Sequence, residues 1–110
     1  MLRISVQHGP LTTRFKLEGK LAHEWVGEAE KAWIELTTSN GKKKLIVDLF
    51  DVEFVDDAGG RLLAEMHHAG ARLVGSGPLI SALIEEIEEA EAAQMEQEPQ
   101  LQNGNKELDR

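Results

Sequence analysis

Asp48, Asp56 and Asp57 are the first side chains in this sequence whose type and spacing suggest chemistry. A carboxylate cluster near the end of a strand can accept a phosphoryl group. Acceptor domains of that kind also need a lysine on a later strand and a full doubly wound fold; this chain offers Arg72 and too few strands. Asp56 and Asp57 precede a predicted helix, where a carboxylate accepts a backbone N–H at the positive helix end, worth about 1 kcal/mol. Two carboxylates there repel phosphate, so the loop is a poor anion cradle. His67 and His68 are adjacent, and on a helix such neighbours point about 100° apart, too far to share one ion. His8 and His23 are distant in sequence. Ser5, Ser39, Ser76 and Ser81 lie in no motif of nucleophile and base, and neither a Gly-x-Gly-x-x-Gly nor a Gly-Lys-Ser/Thr phosphate loop occurs. The expectation is a chain with no catalytic residue, no metal and no cofactor, and hence not an enzyme. Lys42, Lys43 and Lys44 read as a solvated loop that blunts the entrance to a strand.

The elements around these residues follow from hydrophobic period. Leu2, Ile4 and Val6 alternate with Arg3, Ser5 and Gln7, and Phe15 and Leu17 alternate with Arg14, Lys16 and Glu18; both are half-buried strands, and Gly9-Pro10 between them predicts a hairpin turn. Ala22, Trp25, Val26, Ala29, Trp33 and Leu36 form one helical stripe, which places both tryptophans in the core. Ser39-Asn40-Gly41 stops it. Leu45-Ile46-Val47 reads as a strand buried on both faces, ending at Asp48, with Val52, Phe54 and Val55 extending the apolar segment. After Asp56-Asp57-Ala58-Gly59-Gly60 a second helix carries Gly59, Leu62, Leu63, Met66 and Ala69 on one face and Arg61, Ala64, Glu65 and His68 on the other. Ala71 to Val74 is a short strand, and Ser76-Gly77-Pro78 starts a third helix with Leu79, Ile80, Leu83, Ile84 and Ile87 as its stripe. Strands alternating with helices predict an α/β fold: a small mixed, mostly parallel four-stranded sheet, with an N-terminal hairpin then βαβ units, packed with about three helices.

The chain has 110 residues, enough for one domain, and 41% of them are hydrophobic. No apolar run approaches the ~20 residues of a membrane helix, and Met1 to Val6 alternates where a secretory signal would carry charge and then an apolar stretch. There is no cysteine, so disulfides, thiolate metal sites and a cysteine nucleophile are excluded, as suits a cytoplasmic protein. The net charge is -8, which disfavours nucleic acid and anionic lipid as partners. From Glu85 to Arg110, nine acids face two bases, so the acidity belongs largely to the C-terminal end. Gln94 to Arg110 is rich in Gln, Glu and Asn, with Pro99 and Gly104. The expected division is a domain over residues 1–90 and an acidic, polar tail over 91–110, disordered or a frayed helix.

The stretch from Leu45 to Gly60, Leu-Ile-Val-Asp-Leu-Phe-Asp-Val-Glu-Phe-Val-Asp-Asp-Ala-Gly-Gly, resembles the signature of the STAS domain family, the anti-anti-sigma factors. Asp48-Leu49, Val52, Phe54-Val55, Asp56 and Gly59 fall in register with it, Gly19-Lys20-Leu21 sits where the family has Gly-x-Leu, and the likeness covers roughly residues 1–88. The family's Asp-Ser-Ser-Gly corresponds here to Asp56-Asp57-Ala58-Gly59. The resemblance makes Ala58 the equivalent of the serine that a partner kinase phosphorylates, and alanine has no hydroxyl to modify. Asp57, at the first serine, supplies a fixed negative charge in place of a phosphate, with less charge and fewer acceptors.

The resemblance therefore implies a non-catalytic protein-binding module, like an anti-sigma factor antagonist, acting in transcription regulation without the serine switch. Its partner would be a kinase of the anti-sigma type. The alternative is a structural STAS subunit of an assembly, such as a lipid-transporting ABC complex or a stress-sensing scaffold. A homodimer is compatible with either. The expected partner surface is Asp56, Asp57, Ala58, Gly59 and Gly60 with Arg61, Ala64, Glu65 and His68 of the following helix, and Lys20 and His23 beside it.

Overall fold

The computed structural model describes the backbone of residues 1–107 and the side chains of residues 1–94. Strand β1 (Leu2–His8) and strand β2 (Thr12–Leu21) pair antiparallel across the Gly9-Pro10 turn, with Ile4 opposite Leu17 and Val6 opposite Phe15. Thr13, Phe15 and Leu17 are buried, and their neighbours Arg14, Lys16 and Glu18 are not, as a period of two requires. Leu21 keeps the same parity and is buried too; the register shifts between Lys16 and Glu18 and between Gly19 and Lys20 are taken up by β3, which has one extra residue at each.

Helix α1 (Glu24–Ser39) buries Ala29, Trp33 and Leu36. The Trp33 ring meets Phe15 edge to face, with centroids 5.5 Å apart and planes at 72°. Such a pair adds about 1 kcal/mol to the area it buries. Trp25 is only half-buried. It lies in the first turn of the helix, ahead of the buried row that begins at Ala29, so the core placement from spacing holds for Trp33 alone.

Strand β3 (Lys44–Val55) pairs parallel with β2 and with strand β4 (Arg72–Val74), which gives the order β1-β2-β3-β4. Helix α2 (Asp57–His68) crosses from β3 to β4, and helix α3 (Pro78–Glu107) follows β4. Both crossovers advance in one direction, so their helices share one side: α1 packs on β1 and β2, α2 on β3 and β4, α1 touches α2, and α3 lies against α2. The core of Phe15, Leu17, Leu21, Val47, Leu49, Leu63, Met66 and Leu73 fills that side. The fold is thus the expected mixed, mostly parallel α/β sheet with three helices.

The one-sided arrangement corrects three sequence expectations. Val47 and Leu49 are fully buried while Leu45 and Ile46 are half-buried, so the apolar run of β3 is not a strand covered on both faces. Asp48 sits within β3 and does not end it. On α2 the buried row is Gly59, Leu62, Leu63 and Met66; Ala69 is the exposed C-cap. Helix α3 buries Ile80 and Ile87 and continues as helix to Glu107. The segment read as a tail is therefore helical backbone as far as that residue, and residues 108–110 lie outside the described residues.

Candidate functional site

Residue 56 terminates β3 in extended conformation and caps α2. Asp56 Oδ1 accepts the Gly59 N–H at 2.8 Å, satisfying one of the free donors of the first turn. Its other oxygen, Oδ2, accepts the backbone N–H of His23 at 2.9 Å. The Asp56 N–H in turn donates to the Leu21 carbonyl at 3.2 Å. One aspartate thereby joins the loop after β2 to the loop after β3. His23 is the one non-glycine residue with positive φ among the described residues, at φ 55° and ψ -131°. That backbone is uncommon for a side-chain-bearing residue and persists where neighbours over-determine it; the bond to Asp56 is such a constraint. The His23 and Gly59 N–H groups hold the Asp56 carboxyl below its ordinary value of 3.8, with smaller help from the nearby His23 and Arg61 charges.

Gly59 is buried beneath this clasp. A Cβ there would stand 2.3 Å from the Leu21 carbonyl oxygen, a distance at which backbone must move. Glycine lets β2 and α2 approach this closely. Asp57 is exposed in the first turn of α2, and Ala58 is half-buried. Arg61 and Glu65 are exposed on α2, Gly60 and Ala64 half-buried, and His68 exposed.

Seven of the nine residues expected at the partner surface, Asp56, Asp57, Gly60, Arg61, Ala64, Glu65 and His68, line one groove of about 720 Å³. Ala58 and Gly59 do not line it. The opposite wall is α3: Leu83, Glu86, Ile87, Ala90, Glu91 and Gln94. The α2 face read from sequence as opposite the core is therefore half of a two-helix groove. Ala64 packs against the core cluster, and His68 Nδ1 meets Glu91 Oε2 at 2.9 Å across the groove. The α3 wall was missed by sequence reasoning. Its signal was the Leu83–Ile87 spacing, which continues to Glu91 at the same interval of four.

Lys20 and His23 line a neighbouring cleft of about 410 Å³ with Ala22, Trp25 and Phe54. The three aspartates do not converge. Asp48 lies eight residues up the strand from Asp56, about 26 Å for extended chain. It is bound instead to Arg14, whose Nε donates to Oδ2 at 2.9 Å, and to the Phe50 N–H at 3.0 Å. Burial pushes the Asp48 carboxyl up, but the Phe50 and Arg14 hydrogen bonds and the Arg14 and Lys16 charges together bring it below its ordinary value. His67 and His68 also diverge: His68 faces Glu91, whereas His67 Nδ1 is buried and has no hydrogen-bond partner among the described residues. Among the described residues, no helix is long and apolar enough to cross a membrane.

No protein-family model and no curated protein matches the chain. Solved structures do. The anti-sigma factor antagonist SpoIIAA in its unphosphorylated form superposes with a TM-score of 0.54 at 19% identity, over 76% of this chain and 78% of SpoIIAA. Mglu superposes with a TM-score of 0.53 at 23% identity, over 67% of this chain and 19% of Mglu, so the present chain corresponds to about a fifth of that protein's length. The chain has the SpoIIAA-like fold.

Proposed function

We propose that this protein is a non-catalytic, STAS-like binding module that works in the cytoplasm by docking on a partner protein, and that it does so without a serine phospho-switch. The observation that carries the reading is the Asp56 clasp. It fixes the loop at the end of the central strand, where open α/β sheets place their sites, and presents Asp57, Arg61 and Glu65 on a rigid helix start beside it. Such preorganisation lowers the entropy cost of binding. The SpoIIAA-like fold supports a regulator of the antagonist type, with a kinase of the anti-sigma class as partner. Ala58, at the position matched to the family's phosphorylated serine, has no oxygen to accept phosphate, so the module stays in one state.

The test is calorimetric titration of the natural partner, captured on the intact chain, against wild type and Arg61→Glu. Reversal of this exposed charge should change the affinity by about 1–3 kcal/mol, tightening a basic partner and weakening an acidic one, with little change in melting temperature. Unchanged affinity would move the partner surface elsewhere. The identity of the captured protein separates an anti-sigma kinase from the subunits of a larger assembly. Incubation with a captured kinase and ATP should leave the intact mass of the wild type unaltered over residues 56–60. Ala58→Ser should restore an acceptor.

A further inference from the structure

We propose that the groove between α2 and α3 receives an amphipathic helix of the partner protein, apolar on its inserted face and basic on its flanks. This deepens the docking reading above and rests on it, by naming the chemistry of what docks.

Strands β3 and β4 are parallel, so α2 and α3 leave the same end of the sheet. Gly60, Ala64 and His68 recur every fourth residue on α2, and Leu83, Ile87 and Glu91 do so on α3. The rows meet at both ends: a Cβ on Gly60 would lie 4.0 Å from Leu83 Cδ1, and His68 bonds Glu91 two turns later. The seam therefore runs for about 12 Å, with small and aliphatic side chains at its floor and the His68–Glu91 bridge closing its far end.

Apart from Val55 and Asp56 at its edge, the groove is walled by helices, whose backbone donors and acceptors beyond the first turn are spent internally. The groove offers no strand edge, so an extended peptide would leave its own backbone unpaired, whereas a helix brings its hydrogen bonds with it. The rim selects the charge. Asp57, Glu65 and Glu86 are exposed acids along it, Arg61 is its exposed lysine-or-arginine base, and the His68 ring is engaged by Glu91. A basic flank complements this rim. A second copy of the chain, at net charge -8 and with its acids concentrated from Glu85 onward, would set acid against acid.

The probe is a helical peptide of about 14 residues with leucines at i, i+3, i+4 and i+7 and lysines on both flanks, compared with a twin carrying glutamates in place of the lysines. Each is titrated into the full chain and followed by amide NMR shifts. The lysine peptide is expected to bind at least about tenfold tighter than its twin, to weaken with added salt, and to move the Gly60, Ala64 and Ala90 signals. Glu86→Lys with Ala90→Arg, both at exposed positions, should weaken it about tenfold or more at an unaltered melting temperature. Equal affinity for the twins, shifts confined to the outer sheet face, or a dimer that Glu86→Lys dissociates would each overturn the proposal. If the peptide fails while Arg61→Glu still changes the natural partner's affinity, the helix-in-groove assignment falls and the docking loop stands. If Arg61→Glu leaves that partner's affinity unchanged, the docking reading itself falls.

Discussion

The Asp56 carboxylate holds the backbone of His23, 33 residues away, at 2.9 Å, while its second oxygen caps α2 through Gly59 at 2.8 Å. An asparagine side chain has a single acceptor oxygen and can keep only one of these bonds. Asp56→Asn is therefore expected to lower the melting temperature at neutral pH by about 5 °C. The acid limb should change too. Asp56 and Asp48 both have lowered folded-state values, so each contributes stability that is present above its unfolded value near 3.8 and lost as pH falls through the folded one. Wild type should lose stability below about pH 4, and Asp56→Asn should flatten that loss. Melts between neutral pH and pH 2 measure both effects. An unchanged acid limb would remove Asp56 as a contributor.

Two glycines should respond to alanine with opposite signs. Gly59→Ala sets a methyl 2.3 Å from the Leu21 carbonyl and 3.0 Å from Val55 Cγ1, and is expected to cost about 3 kcal/mol or more. Gly27 lies in α1, and a methyl added there would meet nothing within 4 Å. Gly27→Ala should stabilise by about 0.5–1 kcal/mol through helix propensity and reduced unfolded-state entropy. Urea unfolding of both variants is the measurement.

Removing the Arg14 guanidinium leaves Asp48 with the Phe50 N–H as its remaining hydrogen-bond donor. The Arg14 side chain is 36% exposed against 8% for Asp48, so water screens the pair and refills part of the site. Arg14→Ala should cost about 1 kcal/mol. The double variant Arg14→Ala with Asp48→Asn should recover part of that loss, because no unpaired charge remains. A double-mutant cycle reads the coupling, and a value near zero would show that the pair is fully screened.

Ending the chain after Ala93 should leave the thermal transition within about 3 °C of wild type. The segment removed carries Met95, Leu101 and Leu108 as its large apolar residues, too few to bury much area. A large drop would mean that this stretch contributes packing.

Local rules carried most of the architecture. The Gly9-Pro10 turn, the alternation of β2, the Asp56 cap and the Pro78 helix start each follow from neighbours in sequence, and all appear where spacing put them; in β1 the alternation holds for Leu2 and Ile4, whereas Val6 is exposed. What spacing could not express is pairing between distant segments. The Asp56–His23 bond, the Arg14–Asp48 pair and the α3 wall each join residues more than twenty positions apart. Trp25 and Ala69 show the other limit: a helical stripe states which side a residue takes, not whether the sheet reaches that far along the helix.

The edge-to-face pair of Trp33 and Phe15 gives the protein an optical signature that its composition leaves uncluttered. There is no tyrosine and only two tryptophans, so the near-ultraviolet spectrum is nearly an indole spectrum. Trp33 is 7% exposed in a fixed ring pair and should dominate near-UV dichroism and emit blue-shifted light. Trp25, half-exposed beside His23 and Phe54, should emit further to the red and be reached by iodide. Replacing either indole with phenylalanine would leave one fluorophore watching the core and the other watching the loop that Asp56 holds in place.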